Sequence, residues 1–175
     1  MFLETERLQL RRLSVDDAEF ILRLLNEPSF IQNIGDRGVR TIEDARAYII
    51  KGPLASYDKF GFGLLLVELK ESGLPIGISG LLKREVFEDV DIGYALLPEY
   101  WSRGYALESA SAVMSYARDK LGSTRVLAVV NPDNQSSIRL LEKLGFQYDR
   151  MVRLSDDAPE IKLFACALHQ SFAPP

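Results

Sequence analysis

Apolar residues recur along this chain with two different periods, and the changes between them lay out its elements. In "RLQLRRL" (7–13) Leu8 and Leu10 alternate with polar residues, which predicts a half-buried strand. Ser14 and Asp17 then stand in capping-box spacing before Ala18, Ile21, Leu22 and Leu25, the apolar stripe of a first helix. "NEPSFIQNIGDRGVR" (26–40) carries polar and glycine breakers and reads as a loop. Thr41 and Asp44 repeat the capping spacing ahead of "ARAYII", a second helix.

The apolar runs "FGFGLLLVEL" and "PIGISGLLKRE" flank the turn signal "KESGLP" and predict a hairpin, with "VDIGYALL" as a further strand. A helix over 104–120 follows, stopped at Gly122. "RVLAVV" reads as a buried strand, "NPDNQ" as a turn, and "SSIRLLEKLG" as a helix closed by Gly145. "FQYDRMVRL" and "EIKLFACAL" are two late strands. The order is β-α-α-β-β-β-α-β-α-β-β. The strand–helix–strand passages around 90–130 and 126–150 imply parallel neighbours inside a largely antiparallel sheet. The predicted class is α+β, with a mixed central sheet flanked by helices, in one domain over 1–175.

Composition changes this picture only by exclusion. With 21 Lys and Arg against 25 Asp and Glu, the net charge is −4 and no basic block stands out. That leaves no electrostatic footprint for nucleic acid or an anionic membrane. One Cys and one His cannot form an internal disulfide, nor a metal site without many carboxylates. Cys166 reads as a small core residue and His169 as a surface one. The start "MFLETERLQLRRL" has no long apolar segment and no run nears 18 apolar residues, so the chain is expected to be soluble and cytoplasmic.

The stretch "PEYWSRGYALES" (98–109) asks for more. A strand ends there and a helix begins, with Ser102-Arg103-Gly104-Tyr105 at the entry. Ser102 could cap, yet a cation follows where the helix dipole favours an anion. A strand, a glycine-containing loop and a helix start turn several backbone N–H groups one way, which suits a phosphate. Gly104 permits close approach because it has no Cβ. An anion site and an ordinary tight turn both satisfy the pattern. The dinucleotide G-x-G-x-x-G and the P-loop G-K-[ST] are both missing.

"DIGYALLPEYWSRGYALES" resembles the acetyl-CoA motif of the GNAT superfamily of N-acetyltransferases, whose loop is Q/R-x-x-G-x-G/A. Trp101 stands at its first position, with Gly104 and Ala106 at the small ones. The form P-x-Y-W-x-[KR]-G-Y-A is that of the ribosomal-protein N-terminal acetyltransferase-like branch. "LETERLQLRRLSVDDAEFI" resembles that branch's opening T-E-R-L-x-L-R. "NQSSIRLLEKLGF" resembles its N-x-x-S-x-x-x-x-E-K-x-G-F helix.

The resemblance implies an acetyl-CoA-dependent N-acetyltransferase that uses no metal and acts on a primary amine, either a protein N-terminus or a small molecule. It implies that Trp101, Ser102, Arg103, Gly104, Tyr105 and Ala106 take the pyrophosphate. The backbone of Ala95, Leu96 and Leu97 would pair with the pantetheine arm, Asn134 would contact the cofactor or serve as a plain helix N-cap, roles that can hold together, and Ser137 would face the thioester. Homodimers are frequent in that branch. Asp91, on the strand where many relatives carry a Glu, is the candidate base, acting through water. Glu85, Glu88 and Asp89 compete with it, and a solvated strand-edge carboxylate is the plainer reading. The usual acid, a Tyr four residues after Ser137, is Leu141 here, so Ser137 becomes the candidate acid or a mere helix cap. Acceptor specificity is expected from the first two helices and the loop 28–40. The other class of reading is a non-catalytic acyl-CoA-binding or sensing domain that kept the loop.

Overall fold

In "RLQLRRL" the alternation does what its period dictates: Leu8 and Leu10 are fully buried and the residues between them are not. In a computed structural model that describes residues 2–169, this segment is β2 (Leu8–Arg12), the second strand of an eight-stranded sheet. The other strands are β1 (Phe2–Glu4), β3 (Leu64–Leu69), β4 (Pro75–Leu82), β5 (Val90–Leu96), β6 (Arg125–Val130), β7 (Gln147–Val152) and β8 (Ile161–Ala167). Their spatial order is β1-β2-β3-β4-β5-β6-β8-β7. Only β5 and β6 run parallel; every other neighbouring pair is antiparallel.

The capping boxes form as the spacing requires. Ser14 and Asp17 cap a single 3₁₀ turn that leads into α1 (Ala18–Leu25), and Thr41 with Asp44 caps α3 (Ile42–Ile49). Arg11 ties the first box to the sheet, since its guanidinium donates to both Asp17 and Glu68. One face of the sheet packs on α5 (Tyr105–Asp119) and α6 (Gln135–Lys143) through Leu8, Leu10, Leu65, Val67, Ile92 and Leu96. The opposite face packs on α1 and α3 through Leu13, Leu66, Ile78 and Leu97. Cys166 is buried and His169 exposed, as expected. No helix among the described residues is long and apolar enough to cross a membrane.

Three expectations need correcting. The segment 26–40 is not all loop, because Pro28–Asn33 is a helix, α2, with its proline at the first position, where a missing N–H costs nothing. The second helix does not stop with "ARAYII". The chain widens into a π-helical turn over Ile50–Leu54, which accommodates Pro53, and continues as α4 (Ala55–Phe60). The passage 126–150 does not make parallel neighbours either: β8 lies between β6 and β7, and pairs antiparallel with both.

Leu141 faces the core and is 1% exposed, whereas Ser137, one turn earlier, is half-buried at the helix start. A tyrosine could not be placed there without overpacking. Leu141→Tyr should therefore lower unfolding stability by roughly 1–3 kcal/mol, read in urea melts. A variant as stable as the parent would show that the site has room.

Candidate active site where β5 and β6 part

The parallel ladder between β5 and β6 runs through Val90/Val126 and Asp91/Leu127 and then stops. Beyond it β5 stays paired with β4 as far as Leu96, while β6 stays paired with β8 as far as Val130. Each strand follows its outer neighbour, so the sheet opens between them. The Leu97 N–H donates to the Ile76 carbonyl at 2.9 Å, and the Ala95 carbonyl lies against Gly77. Backbone groups alternate sides along a strand, so Ala95 and Leu97 turn theirs toward β4, and Tyr94 and Leu96 turn theirs to the gap. Of the three residues expected along the pantetheine arm, Leu96 alone presents its backbone there. Its carbonyl accepts the Trp101 indole N–H at 2.9 Å, which folds this half-exposed ring along the strand edge.

At the far end of the gap the chain makes a 3₁₀ turn over Pro98–Tyr100 and enters α5. Gly104 has φ 83° and stands at the N-cap of α5, with no side chain capping the first turn. Ser102 is therefore not the cap. It has φ 58°, making it the one non-glycine residue among those described with positive φ. Two left-handed residues in one tight loop gather backbone N–H groups into a concave anion cradle, and a strained serine costs about 1–3 kcal/mol that something else must offset.

That something is the segment Thr5-Glu6-Arg7, which the sequence marked only as a family signature. Glu108, in the first turn of α5, accepts the Thr5 hydroxyl at 2.6 Å, the Arg7 N–H at 2.9 Å and the Arg7 Nε at 2.7 Å. Arg7 Nη1 donates to the Arg103 carbonyl at 3.0 Å, and its guanidinium lies 4.4 Å from the Tyr105 ring centre. Partial burial pushes the Glu108 carboxyl up, but the hydrogen bonds from Thr5 and Arg7 outweigh it and hold the pKa below the usual value. A charged Glu108 also suits the positive end of the helix. Arg103 itself lies over the Tyr100 ring, 5.9 Å from its centre.

Across the gap, Asn134 caps α6 by accepting the Ser137 N–H at 3.2 Å. The Ser137 hydroxyl lies 2.7 Å from the hydroxyl of Tyr94, a residue no motif had singled out. Burial pushes the Tyr94 phenol up to about 12, against the smaller pull of its bond to Ser137.

Asp91 sits where the ladder ends. It is not a solvated edge carboxylate: its side chain is 0% exposed, Arg84 Nε donates to Oδ2 at 3.0 Å, and Oδ1 has no partner among the described residues. Burial raises its pKa, with Arg84 opposing in part. Of its competitors, Glu85 and Glu88 are exposed, and Asp89 is 3.8 Å from Arg125. Side chains alternate along β5, so Asp91 lies on one face of the sheet while Tyr94 points to the other, toward α6. On the Asp91 face, its register partner Leu82 lines a cleft of about 350 Å³ with Tyr48, Lys51, Lys59, Leu64 and Lys83. The loop 28–40 contributes nothing to this cleft, whose helical wall comes from 48–60.

The sequence matches the acetyltransferase (GNAT) domain profile over residues 7–147. It is 35% identical over 153 residues to the uncharacterized N-acetyltransferase YoaA of Bacillus subtilis, covering 86% of this chain and 85% of that one. The fold superposes on an acetyltransferase from Agrobacterium tumefaciens with a TM-score of 0.81 at 27% identity, over 97% and 95% of the two chains. It also superposes on the RimL ribosomal L7/L12 alpha-N-protein acetyltransferase, solved with coenzyme A, with a TM-score of 0.83 over 96% and 98% of the chains. At 16% identity that last likeness is one of fold.

If the cradle holds a pyrophosphate, its shape and its clamp must both matter. A Cβ on Gly104 would lie 3.2 Å from Arg7 Nη2, in a backbone conformation that side chains avoid. Gly104→Val and Arg7→Ala should each weaken acetyl-CoA binding about tenfold or more, on the order of 1.4 kcal/mol, by titration calorimetry. Unchanged affinity in both variants, folded by circular dichroism, would contradict the assignment of the loop.

Proposed function

The chain belongs to the GNAT family of acetyltransferases and is an acetyl-CoA-dependent enzyme, and from that premise we propose that it acetylates a primary amine in the gap between β5 and β6. The observation that carries this reading is the two-pair ladder opening toward the cradle at 101–106, with Asp91 at its apex. The residues fit the cofactor. Ser102, Gly104, Tyr105 and Ala106 would hold a diphosphate through backbone N–H groups at an uncapped helix start, with Arg103 and Arg7 beside them. Trp101 and the Leu96 edge would flank the arm, Asn134 would contact the cofactor and Ser137 would face the thioester end.

Amide formation from a thioester needs a neutral amine, and an alkyl ammonium must lose a proton to become one. Asp91 takes that proton through water. Its raised pKa makes it a stronger base than an ordinary aspartate. The linkage sign argues that it is not there for stability. A folded-state pKa above the unfolded one gives stability that is present below the unfolded value and lost as pH rises through the folded one, so the ionised form costs stability at neutral pH. No nucleophilic residue is required, because the amine attacks the thioester directly. Holding both reactants in one groove supplies proximity.

For the acceptor we favour a peptide N-terminus, on the form of the 98–106 loop. The lysines at positions 51, 59 and 83 around the cleft would repel a polycation. Incubation with acetyl-CoA and a panel of N-terminal peptides and polyamines, scored by release of free CoA thiol, tests both points. Turnover of peptides above polyamines is expected. Bound acetyl-CoA with no thiol released for any amine would overturn the catalytic reading.

Asp91→Asn should lower kcat about 10²-fold at neutral pH, with acetyl-CoA affinity nearly intact. In the parent, the limb of the kcat profile that falls with acid should lie above the ordinary carboxylate range, and Asn should abolish it. A pH-independent loss would make Asp91 a structural partner of Arg84 instead.

A further inference from the structure

The family's tyrosine acid has no counterpart on α6, since Leu141 is in the core. A different tyrosine, Tyr94, reaches Ser137, one turn before Leu141, from the other side of the gap. Tyr94 is borne by β5 and Ser137 by α6, and their hydroxyl oxygens are 2.7 Å apart. Two hydroxyls at that distance share one proton between them, and two facts decide which of them donates.

The Tyr94 phenol packs against the core that includes Ile138 and Leu141, so its O–H needs an acceptor nearby. The Ser137 carbonyl, at 3.5 Å, is too far to serve well. Were serine the donor, the phenol proton would be left to that long contact with the Ser137 carbonyl, a poorer bond. A phenol is also a stronger acid than an alkyl alcohol, hence the better donor. Apart from the Tyr94 oxygen, the Ser137 hydroxyl has no acceptor for its own proton among the described residues. The bond therefore runs from Tyr94 Oη–H to Ser137 Oγ, leaving the serine proton free to point into the gap.

We propose that Tyr94 is a positioning residue for acetyl transfer: by donating to Ser137 Oγ it aims the Ser137 hydroxyl at the departing sulfur. This rests on the acetyltransferase reading above. As the C–S bond breaks and the N–C bond forms, the electron pair leaves on sulfur and the amine proton goes to the Asp91 side. The new charge on sulfur meets a serine O–H already polarised by a second O–H behind it.

Magnitudes rule out a full proton relay. A thiol near ~8.5 is far more acidic than a phenol at about 12, so passing the Tyr94 proton to a thiolate is uphill by a factor of roughly 10³. Tyr94 keeps its proton. The pair is a hydrogen-bond donor to a thiolate, and CoA takes its proton from solvent as it leaves. A helix-borne tyrosine acid is replaced here by a two-element donor chain.

The test does not need turnover. Free CoA is bound to the protein and its thiol is titrated by thiolate absorbance in the ultraviolet. A donor aimed at sulfur should depress the bound thiol pKa by about one unit relative to free CoA, a tenfold shift in the equilibrium. Tyr94→Phe, which keeps the ring packing, and Ser137→Ala should each abolish most of that depression. The double variant should be no worse than Ser137→Ala alone, because Tyr94 acts only through Ser137. The same non-additivity should appear in kcat, at about tenfold for Tyr94→Phe, with the KM for acetyl-CoA little changed. An undepressed thiol in the parent, an equal depression in Tyr94→Phe, or additive losses would overturn the inference. If Tyr94→Phe melts early, Tyr94→Met gives the same reading, because it fills the space and removes the hydroxyl while leaving Ser137 in place. Failure to bind CoA, or no thiol release with any amine, would count against the enzyme reading rather than against Tyr94.

Discussion

Two pairs of residues, Val90/Val126 and Asp91/Leu127, hold together the two halves of the sheet. A strand in the middle of a sheet must satisfy hydrogen-bonding groups on both edges, and β5 and β6 satisfy each other over that short stretch alone. Past it, every group on the facing edges needs water, a side chain or a ligand. β5 is kept from swinging back by its register with β4, from Leu82/Asp91 to Gly77/Leu96, and β6 by its register with β8. Gly77 matters to this, since a Cβ there would lie 2.3 Å from the Ala95 carbonyl and force β5 off its partner. An extended acyl arm offers what the gap lacks, a chain with its own amide groups, and this is why a groove of this shape suits a pantetheine.

The gap is useful only if the groups at its ends stay where they are. At one end the left-handed Ser102 is held by a network that begins at the start of the chain. Thr5 and Arg7 converge on Glu108, and Arg7 also reaches the Arg103 carbonyl. Charge-assisted bonds of this kind are strong enough to offset one strained residue. At the other end Asp91 is locked by Arg84 but left with one free oxygen, and the Tyr94–Ser137 bond spans the two sides of the opening. Asp91 and the Tyr94–Ser137 pair lie on opposite faces of β5, an arrangement that under the proposed reaction would bring the amine in from one face and hold the sulfur on the other.

Much of this was legible in the residues, and what was missed has physical reasons. Local signals carried through: the alternation at Leu8 and Leu10, the boxes at Ser14 and Thr41, and the glycines at 104, 122 and 145, all at positive φ. Signals with two meanings went astray. Pro28 opens a helix as readily as it marks a loop, and the continuation past "ARAYII" went unseen because a π-helical turn has no distinctive spacing. Non-local facts were out of reach. Nothing in 126–150 says that β8 will insert beside β6, nothing in "YALLP" says which edge of the strand each carbonyl faces, and no spacing rule links Tyr94 to Ser137. The T-E-R segment was visible as a signature, but its purpose required seeing Glu108 beside it. Asp91 was picked for its place on the strand and turned out to be buried, which makes it a less ordinary carboxylate than its sequence context suggested.

The central claim is geometric, that one groove holds a CoA chain with its diphosphate at 101–106 and its sulfur at Ser137. A crystal structure with bound CoA measures it directly. The diphosphate oxygens should lie within ~3.2 Å of backbone N–H groups in the 102–106 loop. The arm should run along the Leu96 edge, and the sulfur should rest within hydrogen-bond reach of Ser137 Oγ, with Tyr94 still bonded behind it. CoA bound with its diphosphate elsewhere, or with its sulfur turned away from α6, would contradict it.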